Sequence, residues 1–411
     1  MDSAGTRRSL AGLLGTWGLT RLVLLLFVFK VFVFPGPDVT TDVSVIYQGW
    51  YDTLRHGTFP LGDVTWQYPP AAALPVLSPA LLGFLSYAQA FFVLAFLADL
   101  VVLLLLLYAG LRPGKTLRGT WVWVAGVPLL GPTVYARYDV MVTAVAVAGL
   151  LAGARHPRVM GVLVGFGAML KVWPALLVLG ARKRGAWGWA GGTVAALAVL
   201  FAATMPGAFA FLTFQRDRGT EVESLGSLVF HVARHFGWNG RVLLNYGSVE
   251  FLGPYVTLVS SAALFLTGVA FGWLLLWRLM ATRFLPNTLA DAAFVAVLMF
   301  TATSRVISPQ YMVWLLGAAA VCMCFRSSRM GLAVGLVLAA ALMTVLEFPV
   351  WFEHVVASDT LGITLLVLRN GLLVAACVLG AVELWRSTVS REPVPALPAQ
   401  ATRTRETSTS S

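Results

Sequence analysis

Residues 86–110 read SYAQAFFVLAFLADLVVLLLLLYAG, an unbroken apolar run with a single charge, Asp99, and no proline. A helix rises about 1.5 Å per residue, so a run of this length crosses a hydrocarbon core of about 30 Å. A barrel strand would alternate apolar and polar residues, and this stretch does not alternate. Further apolar runs fall at 11–34, 119–134, 140–154, 159–170, 174–181, 187–205, 254–277, 289–303, 311–325, 330–346 and 361–385. The fold class that follows is all-α integral membrane: a polytopic bundle of about 12 transmembrane helices. The runs between 140 and 181 are short for full crossings. Composition agrees, with 58% hydrophobic and 11% charged residues in 411 and a mean hydropathy of +0.81. A soluble domain carries about a quarter charged residues. The first apolar run is too long for a cleavable signal and lacks a small-residue cleavage site.

Charge sets an expected orientation, because basic residues concentrate in cytoplasmic loops. With Arg7 and Arg8 inside, the alternating loops place Arg112, Lys115, Arg118, Arg155, Arg158, Arg182, Lys183, Arg184, Arg278, Arg283, Arg326, Arg329 and the basic tail residues inside as well. Arg55, Arg137, Lys171, Arg216, Arg218, Arg234, Arg241 and Arg305 fall outside, together with most carboxylates, Asp217 among them. Both termini are therefore expected in the cytoplasm of a multi-pass cell-membrane protein. The two longest connections, 35–70 and 206–253, face outward. A membrane domain over 1–390 and a disordered Pro/Thr/Ser-rich cytoplasmic tail over 391–411 complete the layout. The net charge of +11 reads as basic loops meeting anionic lipid, with no nucleic-acid partner implied. Cys322, Cys324 and Cys377 lie inside apolar runs and read as packing residues.

The long outward connections hold the candidate chemistry. Val43, Ile46, Tyr47, Trp50 and Leu54 recur at helical spacing, with threonine caps before them and Gly57 after. Asp42 then sits in the first turn, either as a capping carboxylate or as a general base. Trp66-Gln67-Tyr68-Pro69-Pro70 opens a proline-rich segment over 70–85 that lies along or dips into the interface. Arg137 and Asp139 stand two residues apart, as a structural pair or part of a site. Lys171, before Trp173-Pro174, is an isolated ammonium that calls for an anion. Gln215 to Ser224 is a mixed-charge stretch with Arg218, Glu221 and Glu223. After it, Leu225, Leu228, Val229, Val232, Ala233 and Phe236 form the apolar face of a second, interfacial helix, with His231, Arg234 and His235 off that face. Ser304-Arg305-Val306-Ile307-Ser308-Pro309-Gln310-Tyr311 offers an arginine with hydroxyl and amide neighbours, suited to phosphate or sugar. Arg369 falls within a span and calls for a partner inside the bundle. No Asp-x-Asp pair or His/carboxylate cluster proposes a metal.

Taken in order, Thr41-Asp42-Val43-Ser44-Val45-Ile46-Tyr47, Gln67-Tyr68-Pro69-Pro70, Arg137-Tyr138-Asp139, Lys171-Val172-Trp173-Pro174, Ser308-Pro309-Gln310-Tyr311 and Leu368-Arg369-Asn370 resemble the polyprenol-phosphate-mannose-dependent mannosyltransferases of glycosyltransferase family 87, in the GT-C superfamily. The resemblance implies a GT-C-like bundle and an inverting transferase. Its lipid-linked sugar donor is a substrate, so no cofactor is implied, and its acceptor is a cell-envelope lipid or glycan on the outer face. It also implies a catalytic aspartate in the first outward loop, which by position is Asp42, with Asp38 and Asp52 as rivals. Lys171 and Arg305 become candidates for the donor phosphate. Tyr47, Tyr68, Arg137, Asp139, Arg218, Glu223 and Gln310 become candidates for substrate binding. A transporter or flippase, with Asp99 as its intramembrane charge, is the competing class, and an inactive scaffold is the third.

Overall fold

A computed structural model describes residues 3–216 and 218–389. Asp217 and the tail over 391–411, both assigned a side of the membrane from sequence, lie outside the described residues. The chain begins with α1 (Ser3–Val28). The first long connection carries a π-helical turn (Asp42–Tyr47) running into α2 (Gln48–Leu54), then α3 (Ala73–Leu77) between two short 3-10 turns. Next come α4 (Tyr87–Gly110), α5 (Arg118–Gly126), α6 (Asp139–Gly153), α7 (Pro157–Leu170) and α8 (Arg184–Thr204). The second long connection holds α9 (Phe211–Arg216), β1 (Thr220–Glu221), α10 (Leu228–Ala233), β2 (Arg241–Asn245) and β3 (Ser248–Leu252). The chain closes with α11 (Val256–Met280), α12 (Thr288–Thr303), α13 (Tyr311–Met323), α14 (Gly331–Val345), α15 (Phe352–Ala357) and α16 (Thr360–Thr388).

The protein is an all-α polytopic membrane protein, 71% helical, with a small antiparallel sheet in the order β1-β3-β2. Among the described residues, six helical segments are long and apolar enough to cross a membrane: Ser9–Val28, Tyr87–Gly110, Arg184–Thr204, Val256–Met280, Gly331–Val350 and Thr360–Thr388. The other expected spans are shorter elements. Residues 119–134 form α5 and then a 3-10 stretch broken at Gly131, and 174–181 is largely a 3-10 helix, Trp173–Gly180. Eight 3-10 residues rise only about 16 Å, half a bilayer core. Prolines at 128, 132 and 174 account for these breaks, since each removes a backbone donor.

Local signals set the helix ends. Ser86 and Gln89 form a reciprocal capping box at the start of α4, and Asp359 caps α16 by accepting from the Gly362 amide at 3.0 Å. Small residues let neighbouring helices approach closely. A Cβ on Gly161 would stand 2.4 Å from the Ala186 carbonyl oxygen, and one on Gly165 2.5 Å from that of Ala190. The Gly161-x-x-x-Gly165 face therefore lets α7 lie directly on α8, the packing that bilayers favour where apolar burial gives no drive.

Asp99, the charge inside the deciding run, is fully buried. Its carboxylate accepts from Arg21 Nε at 2.9 Å, Trp17 Nε1 at 3.1 Å, Trp123 Nε1 at 2.6 Å and Tyr135 Oη at 2.9 Å. Arg21 also donates to the carbonyls of Val124 and Trp123. The knot ties α1 and α4 to α5 with most of its polar valence satisfied, as a charge in lipid requires. It lines neither of the two large cavities, which removes the residue on which a transporter reading depended.

Helix directions define two ends. α6 and α13 start, and α7 and α12 finish, beside one large cavity; their opposite ends surround a second. These four helices are short, at 15, 13, 14 and 16 residues. At about 1.5 Å per residue they fall short of a 30 Å core, so the space between them is recessed among longer neighbours.

Candidate active site

The first cavity encloses about 700 Å³ and gathers side chains from both long connections and four inter-helix turns. Asp42, Tyr47, Tyr68, Arg137, Lys171, Arg218, Glu223, Arg305 and Gln310 all line it. Of the site residues nominated from sequence, Asp139 alone does not; it stands behind Lys171, 1% exposed. The rival aspartates lie elsewhere: Asp38 pairs with Lys30 at 2.8 Å and Asp52 with Arg55 at 3.5 Å, both at the surface.

Asp42 begins the helical turn whose apolar face was legible in sequence. Val43, Tyr47, Trp50 and Leu54 are buried, which fixes the helix and turns Asp42 toward the cavity. The expected threonine cap is not made, because Thr41 has helical backbone angles and no side-chain bond to the turn. The Asp42 carboxylate instead meets Arg137, Oδ2 to Nη2 at 2.5 Å. Arg137 is held in turn by the carbonyls of Val39 at 3.1 Å and Ala136 at 2.8 Å.

The neighbouring pair corrects two expectations. Arg137 does not pair with Asp139, and Lys171 is not isolated. Lys171 Nζ lies 2.7 Å from Asp139 Oδ1, which also accepts from Trp314 Nε1 at 2.6 Å. Four rings enclose the ammonium, with centroids at 5.0 Å (Tyr138), 5.1 Å (Tyr68), 5.2 Å (Trp314) and 5.8 Å (Tyr311). Their negative faces favour a cation at that point. The sequence places these partners in separate turns, so adjacency along the chain misled: side chains two apart at a helix start point in different directions.

The small sheet builds the facing wall. Glu221 in β1 pairs in register with Glu250 in β3, and its amide donates to the Arg305 carbonyl at 3.1 Å, joining the wall to the turn before α13. Glu250 is a clamp. It accepts from Arg218 Nε at 3.3 Å, the Gly219 amide at 3.1 Å, Asn245 Nδ2 at 3.0 Å and Ser248 Oγ at 3.2 Å. Arg218 is thereby fixed at the cavity, while Arg305 Nη1 donates to Ser260 Oγ at 3.2 Å.

Glu221 and Glu223 are buried at the cavity wall. Ser308 donates to Glu221 Oε1 at 2.9 Å, while Glu221 Oε2 and Glu223 Oε1 have no hydrogen-bond partner among the described residues. Burial pushes the Glu221 carboxyl up, against the pull of Arg218. Burial raises Glu223 well above the ordinary range, and the nearby Glu221 and Glu347 add to it. A carboxyl that keeps its proton both donates and accepts hydrogen bonds, the pattern a sugar hydroxyl needs. Arg369 meets its expectation of an internal partner: Nη2 lies 2.5 Å from Glu347 Oε1 and donates to the Glu223 carbonyl at 2.8 Å.

Glu221, Tyr311 and the stacked pair Trp173–Trp314, with centroids 5.3 Å apart, also line the cavity and were not nominated from sequence. Glu221, Trp173 and Tyr311 stand inside motifs singled out there; Trp314 looks like any residue of an apolar run. The cavity's edge is apolar, with Phe211 and Leu212 of α9, Leu264 of α11 and Phe300 of α12. Leu212 and Leu264 are 60% and 53% exposed, so the polar interior adjoins surface fit for lipid.

Together these features define a polytopic membrane protein with a recessed, charged cavity bordered by an apolar edge. The family model for glycosyltransferase family 87 matches residues 66–309, more than half of the chain. The chain belongs to that family, and its activity is that of a glycosyltransferase. No curated protein and no solved structure matches it.

Proposed function

We propose that this glycosyltransferase moves a mannosyl group from a polyprenyl-phosphate donor to a hydroxyl of a cell-envelope glycolipid or glycan, with inversion, at the outer face of the membrane. One observation carries the reading: Asp42, three cations (Lys171, Arg218 and Arg305) and the two buried glutamates share a cavity whose edge is apolar and exposed. A polyprenyl tail suits that edge, and a phosphate suits the cations. The order of motifs along the sequence supports mannose as the sugar.

In this mechanism Asp42 takes the proton of the acceptor hydroxyl as that oxygen bonds to the anomeric carbon. The bond from that carbon to the phosphate oxygen breaks on the opposite face, and its electron pair stays with the phosphate. Negative charge grows there as the bond lengthens, so fixed cations act most strongly at the transition state. The bridge to Arg137 engages Asp42 Oδ2 and sets the carboxylate's orientation, offering Oδ1 to the acceptor. Lys171 shares its charge with Asp139, so its part is to place a caged ammonium beneath the phosphate. Glu221 and Glu223 receive sugar hydroxyls.

The test is Asp42→Asn in purified protein given a polyprenyl-phosphate mannose. The amide is nearly isosteric and cannot take the proton, so kcat should fall about 10²–10⁴-fold while donor binding persists. Wild-type turnover in this variant would remove Asp42 from the mechanism. Transfer from a nucleotide sugar, with none from the lipid donor, would overturn the donor assignment.

A further inference from the structure

The second cavity, at the opposite end of the bundle, encloses about 890 Å³. Five cations line it: Arg112 and Lys115 between α4 and α5, Arg155 between α6 and α7, and Arg182 and Lys183 before α8. No carboxylate lines it, and none of the five forms an ion pair among the described residues. Its interior is apolar, with Leu150, Met160 and Leu289 among the lining residues.

The turns that carry the cations are anchored. The Thr116 amide donates to the Cys324 carbonyl at 3.1 Å, and Arg326 Nε donates to the Lys115 carbonyl at 3.2 Å. Arg278 Nη2 donates to the Ala181 carbonyl at 3.3 Å. Lys115 Nζ sits 3.0 Å from the Phe325 ring centroid, and Arg112 stacks on Tyr108. Burial depresses the Lys115 ammonium, and the Arg112 and Arg155 charges add to the effect. These like charges are thus held close together, a cost that a bound anion would offset. A general rule that cytoplasmic loops are basic accounts for their sign and side. It does not account for five cations from three separate turns converging on one apolar-floored cavity.

We propose that this cavity binds a phosphate-bearing anion, with the phosphate held by Arg112, Lys115 and Arg155 and an attached acyl chain running onto the apolar floor. The chemistry is that of an anionic lipid headgroup, which free phosphate shares only in part. The site is independent of the sugar-transfer cavity.

The experiment titrates the full-length protein in neutral detergent with dioleoyl phosphatidic acid, dioleoyl phosphatidylcholine or inorganic phosphate, read by native mass spectrometry and thermal unfolding. One saturable phosphatidic acid is expected, with much weaker phosphatidylcholine binding. Arg112→Gln combined with Arg155→Gln should weaken phosphatidic acid at least about tenfold. Arg329→Gln, at the same end but outside the cavity, should leave it unchanged. Arg182→Gln, a milder change at the rim, should weaken it by a smaller factor and guards against a double variant that fails to fold. Equal binding of the two lipids, or equal losses in the Arg329 and Arg182 variants, would overturn the site. Inorganic phosphate displacing the lipid at matched concentration would overturn the acyl-chain contribution.

Discussion

Asp42, Arg137, Asp139 and Lys171 stood out in sequence for one physical reason: a charge close to lipid is costly and rarely placed without use. That reasoning brought them into view but could not pair them, because each partner comes from a different turn. His231 teaches the same lesson. It falls off the apolar stripe of its helix, and the structure buries it. Nε2 lies 2.8 Å from the Val222 carbonyl, so Nε2 carries the proton, and Nδ1 accepts the Ser358 hydroxyl at 2.7 Å. Burial and the nearby Arg234 lower the imidazole's pKa from 6.5 to about 4. As pH falls through 6.5 the unfolded chain takes up a proton that the folded chain refuses until about pH 4. This contribution is fully present above pH 6.5 and is lost between 6.5 and about 4; it amounts to about 3 kcal/mol. The unfolding temperature of the wild type should therefore drop more steeply over that window than that of His231→Gln, which keeps a donor and an acceptor but does not titrate. Parallel curves would show that His231 titrates alike in both states.

At the scale of elements, the amphipathic turn at Asp42 to Leu54 was legible because its period is helical and its buried face is continuous. The second helix was legible in a different sense. Val229, Val232 and Phe236 of its stripe are exposed and point off the protein, the arrangement an interfacial helix requires. The sheet was not anticipated. Its hairpin turns at Tyr246 and Gly247, whose φ values are 49° and 78°, a pair suited to a two-residue turn. Strands of two and five residues give too little alternation to stand out in so apolar a chain. The sheet nevertheless fixes the cavity wall, through Glu250. Glu250→Ala removes the acceptor shared by Arg218, Gly219, Asn245 and Ser248, and a hydrogen bond to a charged group contributes about 1.5–3 kcal/mol. With Arg218 released, KM for the donor should rise about tenfold or more with a smaller change in kcat, the reverse of the Asp42→Asn pattern. Initial rates across donor concentrations separate the two. An unchanged KM would show that Arg218 does not meet the donor.

For the molecule as a whole, the apolar runs and the shortness of those between 140 and 181 were legible, but not the 3-10 geometry that replaces α-helix over 127–134 and 173–180, because hydropathy does not reveal backbone geometry. The short central helices make room for the transfer cavity at one end and the basic cavity at the other. α8 joins the two ends, from Arg184 beside the basic cavity to Thr204, where the adjoining Gly207 meets Leu61 of the first long connection. Its 21 residues span about 30 Å, one hydrocarbon core. The two cavities therefore lie at opposite ends of a span of membrane length, and charge gives the expected side of each. The basic cluster of Arg112, Lys115, Arg155, Arg182, Lys183 and Arg184 lies at one end, and the positive-inside rule assigns that end to the cytoplasm. On the function proposed above, the transfer cavity is expected to open outward, where a polyprenyl-phosphate sugar and an envelope acceptor would meet. Single cysteines test this arrangement at positions with open space around a new Cβ, Gly62 in the first connection and Gly185 at the start of α8. The native cysteines give little background, since Cys322 and Cys324 are buried and Cys377 is half-buried within α16. In intact cells an impermeant maleimide should label Gly62→Cys strongly, and Gly185→Cys only after permeabilisation. The reverse pattern would place the transfer cavity in the cytoplasm, and the donor would then have to be sought on the inner leaflet.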